Sequence, residues 1–114
     1  MKRPFFLIFA AMLCLQGCGG DNAPMIRFTE YYSPQCESCT EMEPVINEVL
    51  SGFSGKLIVD RVNLDTPEGT SRGKALAIKN IPVIVLTDRE GREYFRHEGK
   101  IDGALLKKLI KDKI

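Results

Sequence analysis

The 114-residue sequence contains no tryptophan and only one histidine, His97. A structural zinc site usually takes four cysteine or histidine ligands, and two of the four cysteines lie in the N-terminal apolar segment, so a dedicated zinc site is excluded. The 16 basic and 15 acidic residues leave a formal net charge of +1, which gives no electrostatic basis for nucleic-acid binding. The length and the 44% hydrophobic content are those of a single globular domain.

The sequence also lacks an apolar run long enough to cross a membrane. Residues 5–15 are apolar without interruption, whereas a membrane-spanning helix needs about 20 such residues. A short run that follows Lys2 and Arg3 is typical of a signal peptide, which we place at residues 1–17. Export would bring the domain into a compartment where disulfides persist.

Leu15-Gln16-Gly17-Cys18 at the end of this segment resembles the lipoprotein box of bacteria. The resemblance implies that Cys18 is lipidated, that residues 18–24 form a tether, and that the folded domain covers residues 25–114. The protein would then be lipid-anchored to a bacterial membrane and face the periplasm or the cell surface. An ordinary signal peptide cleaved near Gly20 is the alternative.

Strand and helix signals alternate along residues 25–114. Runs rich in β-branched and aromatic residues indicate strands, and apolar residues at intervals of three and four indicate helices. Two strand–helix units followed by a hairpin and a last helix predict an α/β domain of order βαβαββα, with a mixed four-stranded sheet covered on both faces. The predicted strands are 25–32, 56–63, 82–87 and 92–97, and the predicted helices are 36–50, 66–79 and 104–114.

Several side chains in these elements have predicted structural roles. The continuous apolar strand at 82–87 is expected to be buried on both faces, and Pro44 is expected to kink the first helix. The predicted core aromatics are Phe28, Tyr31 and Phe95. His97 is interpreted as a surface residue. The lysines of the last helix are interpreted as a solvated face, with contact to anionic lipid headgroups as the less favoured alternative.

Cys36 and Cys39 lie one helical turn apart at the predicted start of the first helix. The free amides and the dipole of a helix N-terminus stabilise a thiolate there. This spacing lets Cys39 attack a mixed disulfide formed at Cys36, so we assign Cys36 as the nucleophile and Cys39 as the resolving thiol. A purely structural disulfide would close a very small loop and stabilise little. The pair therefore indicates redox chemistry.

The chain from residue 25 onward resembles thioredoxin, and the resemblance implies the thioredoxin fold in a minimal form that lacks the first strand and helix. Glu30 takes the place of a buried acid, Pro44 that of a helix proline, and Arg61 a position often held by lysine. The matching features at family spacing are Glu30, Pro44, the segment 61–65, Ile81–Pro82, Gly99, the hairpin and the last helix.

The resemblance also implies roles for individual residues. Pro82 would follow a cis peptide bond after Ile81, in a loop that pairs its backbone with an extended substrate peptide. Glu30 would exchange a proton with Cys39, directly or through water. The alternative is that Glu30 only pairs with Arg61. The implied catalytic residues are Cys36, Cys39, Glu30 and Pro82, and the implied substrate-binding residues are Tyr32, Pro34, Gln35, Ile81 and Gly99.

One departure from the family bears on the direction of the reaction. Glu37 places a negative charge beside Cys36, and that charge opposes the helix dipole and destabilises the thiolate. A less stabilised thiolate makes the disulfide less oxidising. The chain is therefore expected to be a reductase rather than an oxidant.

We thus expect a monomeric, exported enzyme that reduces protein disulfides and needs no cofactor beyond its own redox-active disulfide. The resemblance implies that an integral-membrane thiol protein supplies the electrons. Two alternatives stay open: an oxidant that donates its disulfide to folding proteins, and a module that binds Cu(I) through the two soft thiolates.

Overall fold

In the computed structural model, which describes residues 25–114, strands and helices follow the predicted order βαβαββα. The strands are β1 (Ile26–Tyr32), β2 (Leu57–Asn63), β3 (Val83–Thr87) and β4 (Glu93–Glu98), and the helices are α1 (Glu37–Ser51), α2 (Pro67–Ala75) and α3 (Gly103–Lys111). The predicted signal peptide, Cys18 and the tether lie outside the described residues. Within residues 25–114, no helix is both long and apolar enough to span a bilayer.

The four strands form one mixed sheet in the order β2-β1-β3-β4. β1 is central: it pairs in parallel with β2, so that Ile26 lies beside Leu57, and it pairs antiparallel with β3. β3 pairs antiparallel with β4 across the hairpin turn. The mixed four-stranded sheet predicted from the order of elements is therefore confirmed.

Each face of the sheet carries its own apolar cluster, because alternate side chains of a strand point to opposite faces. Phe28 and Leu86 belong to the larger cluster, which also contains buried residues of α1 and α3. Tyr31 and Val83 belong to the smaller cluster, which includes Ile78 from the segment after α2. The two-sided burial predicted for β3 and the core positions of Phe28 and Tyr31 are confirmed.

The second helix is shorter than predicted. It ends at Ala75 instead of residue 79, because Ala77 adopts a left-handed conformation with φ of 54°. This turn brings Ile78 onto the smaller apolar cluster, so tertiary packing ends the helix. The first helix continues through Pro44, and the kink expected there stays a prediction.

The two ends of the strands define two edges of the sheet, and different loops lie at each. We call the edge where β1 and β2 end the carboxyl edge; it holds residues 33–36, 64–66 and 81–82. We call the edge where β1 and β2 begin the amino edge. The seven residues of β1 separate the two edges by about 20 Å, at roughly 3.3 Å per residue.

Gly69 in α2 is a close-packing point beside the carboxyl edge. A Cβ there would overlap the carbonyl of Asn63 and lie 3.0 Å from Oγ1 of Thr66, which caps the helix. We predict that Gly69→Ala lowers the free energy of unfolding by about 1–3 kcal/mol, the usual cost of overpacking. Urea unfolding measures the change. Gly52→Ala is the matched control, because its Cβ would make an ordinary contact at 3.5 Å; equal losses in both variants would contradict the prediction.

Candidate active site

Cys36 and Cys39 form a disulfide at the N-terminus of α1, with their Cα atoms 5.2 Å apart. Cys36 is the N-cap residue, and its Sγ accepts a hydrogen bond of 3.1 Å from the backbone amide of Cys39. A turn after β1, closed by the bond from the Cys36 amide to the Ser33 carbonyl, leads into this cap. Cys36 is partly exposed, whereas Cys39 is buried. The outer sulfur is therefore the one that a substrate can reach.

This arrangement suits thiol–disulfide exchange. When the pair is reduced, the amide that points at Sγ of Cys36 and the dipole of α1 both stabilise a thiolate on that sulfur. Glu37 follows Cys36 directly and lies exposed in the first turn of the helix. Its carboxylate carries a negative charge, which destabilises the neighbouring thiolate. The inner sulfur, that of Cys39, lies within one helical turn of Sγ of Cys36 and is largely shielded from solvent.

The loop before β3 faces the cysteines. The Ile81–Pro82 peptide bond is cis, and the carbonyl oxygen of Ile81 lies 3.8 Å from Sγ of Cys36. Pro82 is fully buried. Gly99, with φ of 87°, donates its amide to the carbonyl of Pro82 at 2.8 Å. Gly99 thus holds the loop in place, in addition to the substrate contact expected of it from the sequence.

Glu30 lies on the central strand, where its side chain is 6% exposed. It is paired in register with Arg61 of β2, and Nε of Arg61 lies 3.4 Å from Oε1 of Glu30. Arg61 is itself held by a hydrogen bond of 2.7 Å to Oδ1 of Asn47 on α1. The ion pair that was the alternative role of Glu30 is therefore present in the structure.

The pKa of Glu30 is raised in spite of this pairing. Burial is the largest cause, because it disfavours the charged carboxylate; the positive charge of Arg61 offsets it in part, and the negative charge of Glu43 adds to it. A carboxyl group with a raised pKa is suited to exchange protons with a thiol. The structure therefore allows Glu30 both roles, as a partner of Arg61 and as a proton carrier.

A polar pocket of about 350 Å³ connects this carboxyl group with solvent. It lies at the carboxyl edge and is lined by Glu30, Tyr32, Ser33, Pro34, Cys39, Thr40 and Glu43. The buried thiol and the buried acid thus share one opening large enough for water, which supports proton transfer through water. The neighbouring Gln35 is exposed on the turn before Cys36.

Glu43 is the site residue that the sequence interpretation missed. It lies one helical turn after Cys39, at the i+4 position that shares a helix face with it. That spacing was available from the sequence. Its significance depends on the position of Glu30, which comes from another element. Within residues 25–114, no group of three or more His, Cys, Asp or Glu side chains is placed to hold a metal ion.

Comparison with protein families gives a match to the thioredoxin family over residues 22–112. Among curated proteins, the chain is similar to the thioredoxin-like protein HCF164 of the Arabidopsis thaliana chloroplast, with 25% identity over 85 residues. That alignment covers 75% of this chain and 31% of the plant protein. The chain thus spans about a third of the length of this relative.

Solved structures resemble this chain more in fold than in sequence. A mutant thioredoxin of Halobacterium salinarum NRC-1 superposes with a TM-score of 0.66 at 23% identity, covering 77% of this chain and 74% of that chain. Thioredoxin of Fasciola hepatica gives a TM-score of 0.68 at 16% identity, covering 82% of this chain and 85% of that chain. These similarities establish the thioredoxin fold that the sequence predicted.

The raised pKa of Glu30 predicts a pH-dependent loss of stability. The stability associated with this group is complete below about pH 4.3, the usual pKa of glutamate in an unfolded chain, and is lost as the pH rises through the higher pKa of the folded state. We expect Glu30→Gln to gain stability over the wild type between pH 4 and pH 8, by about 1.4 kcal/mol for each unit by which the pKa is raised.

Urea unfolding of the oxidised proteins at several pH values measures this difference. A constant difference would mean that the ion pair with Arg61 balances burial, and a falling difference would mean that it outweighs burial; either would contradict the prediction. Glu43→Gln is the companion variant: it removes a charge that raises the pKa of Glu30. The loss of stability with rising pH should therefore be smaller in Glu43→Gln than in the wild type.

Proposed function

The chain belongs to the thioredoxin family, and we propose that it acts as an exported, membrane-anchored reductase of protein disulfides. The fold and the Cys36–Cys39 pair make it a thiol–disulfide oxidoreductase. One observation carries the proposed mechanism: an accessible sulfur at the N-terminus of α1 lies next to a buried sulfur that shares a pocket with the carboxyl group of Glu30.

The reaction follows from the different exposure of the two sulfurs. In the reduced enzyme, the thiolate of Cys36 attacks one sulfur of a substrate disulfide, and the other substrate sulfur leaves as a thiolate that takes up a proton. Cys39 then loses its proton to Glu30, directly or through water in the pocket, and its thiolate attacks Sγ of Cys36. The mixed disulfide breaks, and the first substrate sulfur leaves as a thiolate that also takes up a proton. The products are a substrate dithiol and the Cys36–Cys39 disulfide, so two electrons pass from enzyme to substrate.

The surface beside Cys36 is proposed to hold an extended segment of the substrate protein. The loop at Ile81–Pro82 has a backbone carbonyl close to the outer sulfur, which supports strand-like pairing with a peptide. Tyr32 and Pro34 line the pocket that contains Cys39, and the exposed Gln35 directly precedes Cys36. These three would contact the substrate side chains next to the disulfide.

The direction of electron flow is proposed from Glu37. The helix N-terminus stabilises the Cys36 thiolate, and the exposed carboxylate of Glu37 in the first turn diminishes that stabilisation. The reduced form is then less favoured and gives up electrons more readily. A reductase needs a source of electrons, and the proposed lipid anchor at Cys18 would keep the domain near an integral-membrane thiol donor.

The reduction potential of the Cys36–Cys39 pair tests this direction. Equilibration of the protein with glutathione or dithiothreitol, followed by trapping of free thiols, should give a value at or below about −250 mV, close to the −270 mV typical of thioredoxin. A value near about −120 mV, as found for strong oxidants, would reverse the proposed direction.

A variant at Glu37 tests whether the charge of this residue contributes to the reduction potential. We expect Glu37→Gln to shift the potential by about 5–20 mV to less negative values, because a charge at a helix N-terminus contributes about 0.3–1 kcal/mol and 30 mV corresponds to about 1.4 kcal/mol. Glu48→Gln, an exposed change near the other end of α1, should leave the potential unchanged. Equal shifts in both variants would contradict a local effect of Glu37.

The roles of the two cysteines are tested by trapping the intermediate. In Cys39→Ser, the mixed disulfide between Cys36 and a substrate protein has no resolving thiol, so it should accumulate as a conjugate that dithiothreitol cleaves. Cys36→Ser should form little conjugate, because Cys39 is 4% exposed. Non-reducing electrophoresis distinguishes the two variants. More conjugate in Cys36→Ser than in Cys39→Ser would reverse the assignment.

A further inference from the structure

A pocket rimmed by lysines lies at the amino edge, far from the disulfide. Its volume is about 410 Å³, and it is lined by Gly52, Phe53, Lys56, Lys107, Lys111 and Ile114. The loop between α1 and β2 supplies one side, and the end of α3 supplies the other. Phe53 is buried in the floor, whereas Ile114 is 44% exposed. We call this feature the lysine pocket.

The lysine pocket carries positive charge that nearby carboxylates do not neutralise. Across residues 25–114, none of its three lysines has a carboxylate oxygen within 4.0 Å, whereas Lys100 and Lys108 are paired with Glu41 and Asp112. Lys113, just beyond α3, lies over the ring of Tyr94 at 5.1 Å. Free ammonium groups above an apolar floor are suited to a ligand that combines anionic oxygens with a hydrophobic part.

The position of the lysine pocket relates it to the start of the domain. Lys56 immediately precedes Leu57, which pairs with Ile26 at the beginning of β1. The chain before residue 25 therefore enters the domain at this edge. Six residues, 19–24, separate Met25 from the proposed lipidated Cys18, and six residues reach at most about 20 Å. An anchored domain would thus hold its amino edge within about 20 Å of the membrane surface.

We propose that the lysine pocket binds anionic phospholipid headgroups of the membrane that carries the anchor, so that Cys36 is turned away from the membrane. The inference rests on the lipid anchor at Cys18 in the proposed function. The three ammonium groups would bind phosphate oxygens, and exposed Ile114 would enter the boundary between headgroups and acyl chains.

Docking in this orientation has a consequence for the redox cycle. The disulfide lies at the other end of β1, about 20 Å farther from the membrane. Proteins in the aqueous compartment would reach it while the domain is docked. A donor embedded in the membrane would reach it only after the domain leaves the headgroups and turns on its tether. Docking therefore separates the oxidation of the Cys36–Cys39 pair by substrates from its reduction by the donor.

The absence of tryptophan from the sequence allows a direct test of this orientation. Ile114→Trp places a single fluorophore at the lysine pocket, and Glu68→Trp places one on exposed α2 at the carboxyl edge. Each full-length processed lipoprotein is reconstituted into vesicles whose acyl chains are brominated and quench nearby tryptophan. The vesicles contain either phosphatidylcholine alone or phosphatidylcholine with phosphatidylglycerol. We expect quenching and a blue shift for Ile114→Trp in the anionic vesicles, and neither for Glu68→Trp.

Lysine variants test whether charge drives the docking. In the Ile114→Trp background, Lys107→Gln with Lys111→Gln should lower the ratio of docked to free domain about 30-fold, because each lysine at an anionic surface contributes a factor of about 5. Lys74→Gln with Lys79→Gln removes two lysines outside the pocket and is the matched control. Equal effects of the two pairs would overturn the assignment of the pocket.

Flotation with phosphatidylcholine vesicles separates failure of the anchor from failure of the pocket. Wild-type protein that does not float, or a Cys18→Ser protein that floats equally well, would overturn the anchor and the docking together. Protein that floats while Ile114→Trp stays unquenched, or while both reporters are quenched alike, would overturn the docking alone. A spectral change of Ile114→Trp with polyglutamate but not with anionic vesicles would show that the pocket binds an acidic protein instead.

Discussion

The pairing of β1 with a neighbour on each side is the constraint on which the rest of the structure depends. Because β1 has a neighbour on each side, the chain can continue only beyond its ends. After Tyr32 it therefore turns at the carboxyl edge, and α1 begins there with the two cysteines. The same register places Glu30 beside Arg61 and the start of β1 beside the loop that carries Lys56. One strand thus positions the disulfide, the buried acid and, at its other end, the lysine pocket.

Glu30 is a buried acidic residue that packing alone would not favour at this position. Burial of a charged carboxylate is unfavourable, and an ion pair such as the one with Arg61 seldom repays the full desolvation cost. The charge of Glu43 increases that cost. The proposed function accounts for this unfavourable burial: a carboxyl group with a raised pKa, in a pocket shared with Cys39, is suited to take the proton that Cys39 would lose as the resolving thiol.

Local sequence features account for most of the fold and for the centre of the candidate site. The spacing of Cys36 and Cys39 depends on one helical turn, so their place at a helix start was predictable from neighbouring residues. The order of strands and helices, together with the apolar pattern of β3, predicted the mixed sheet and its two covered faces. The family resemblance added Glu30 and the loop at Pro82, which no local pattern could have related to the cysteines.

The sequence by itself therefore determined the order of the elements, the pair of reactive sulfurs and the helix N-terminus that carries them, because these depend on residues close together in the chain. The tertiary structure alone decided which distant groups meet. It placed Glu43 in one pocket with Glu30, gave the Pro82 carbonyl its bond from the Gly99 amide, and ended α2 early so that Ile78 could pack on the sheet. It also assembled the lysine pocket from two separate segments. Such contacts follow from strand register and helix packing, which join residues far apart in the chain and leave no periodic pattern in the sequence.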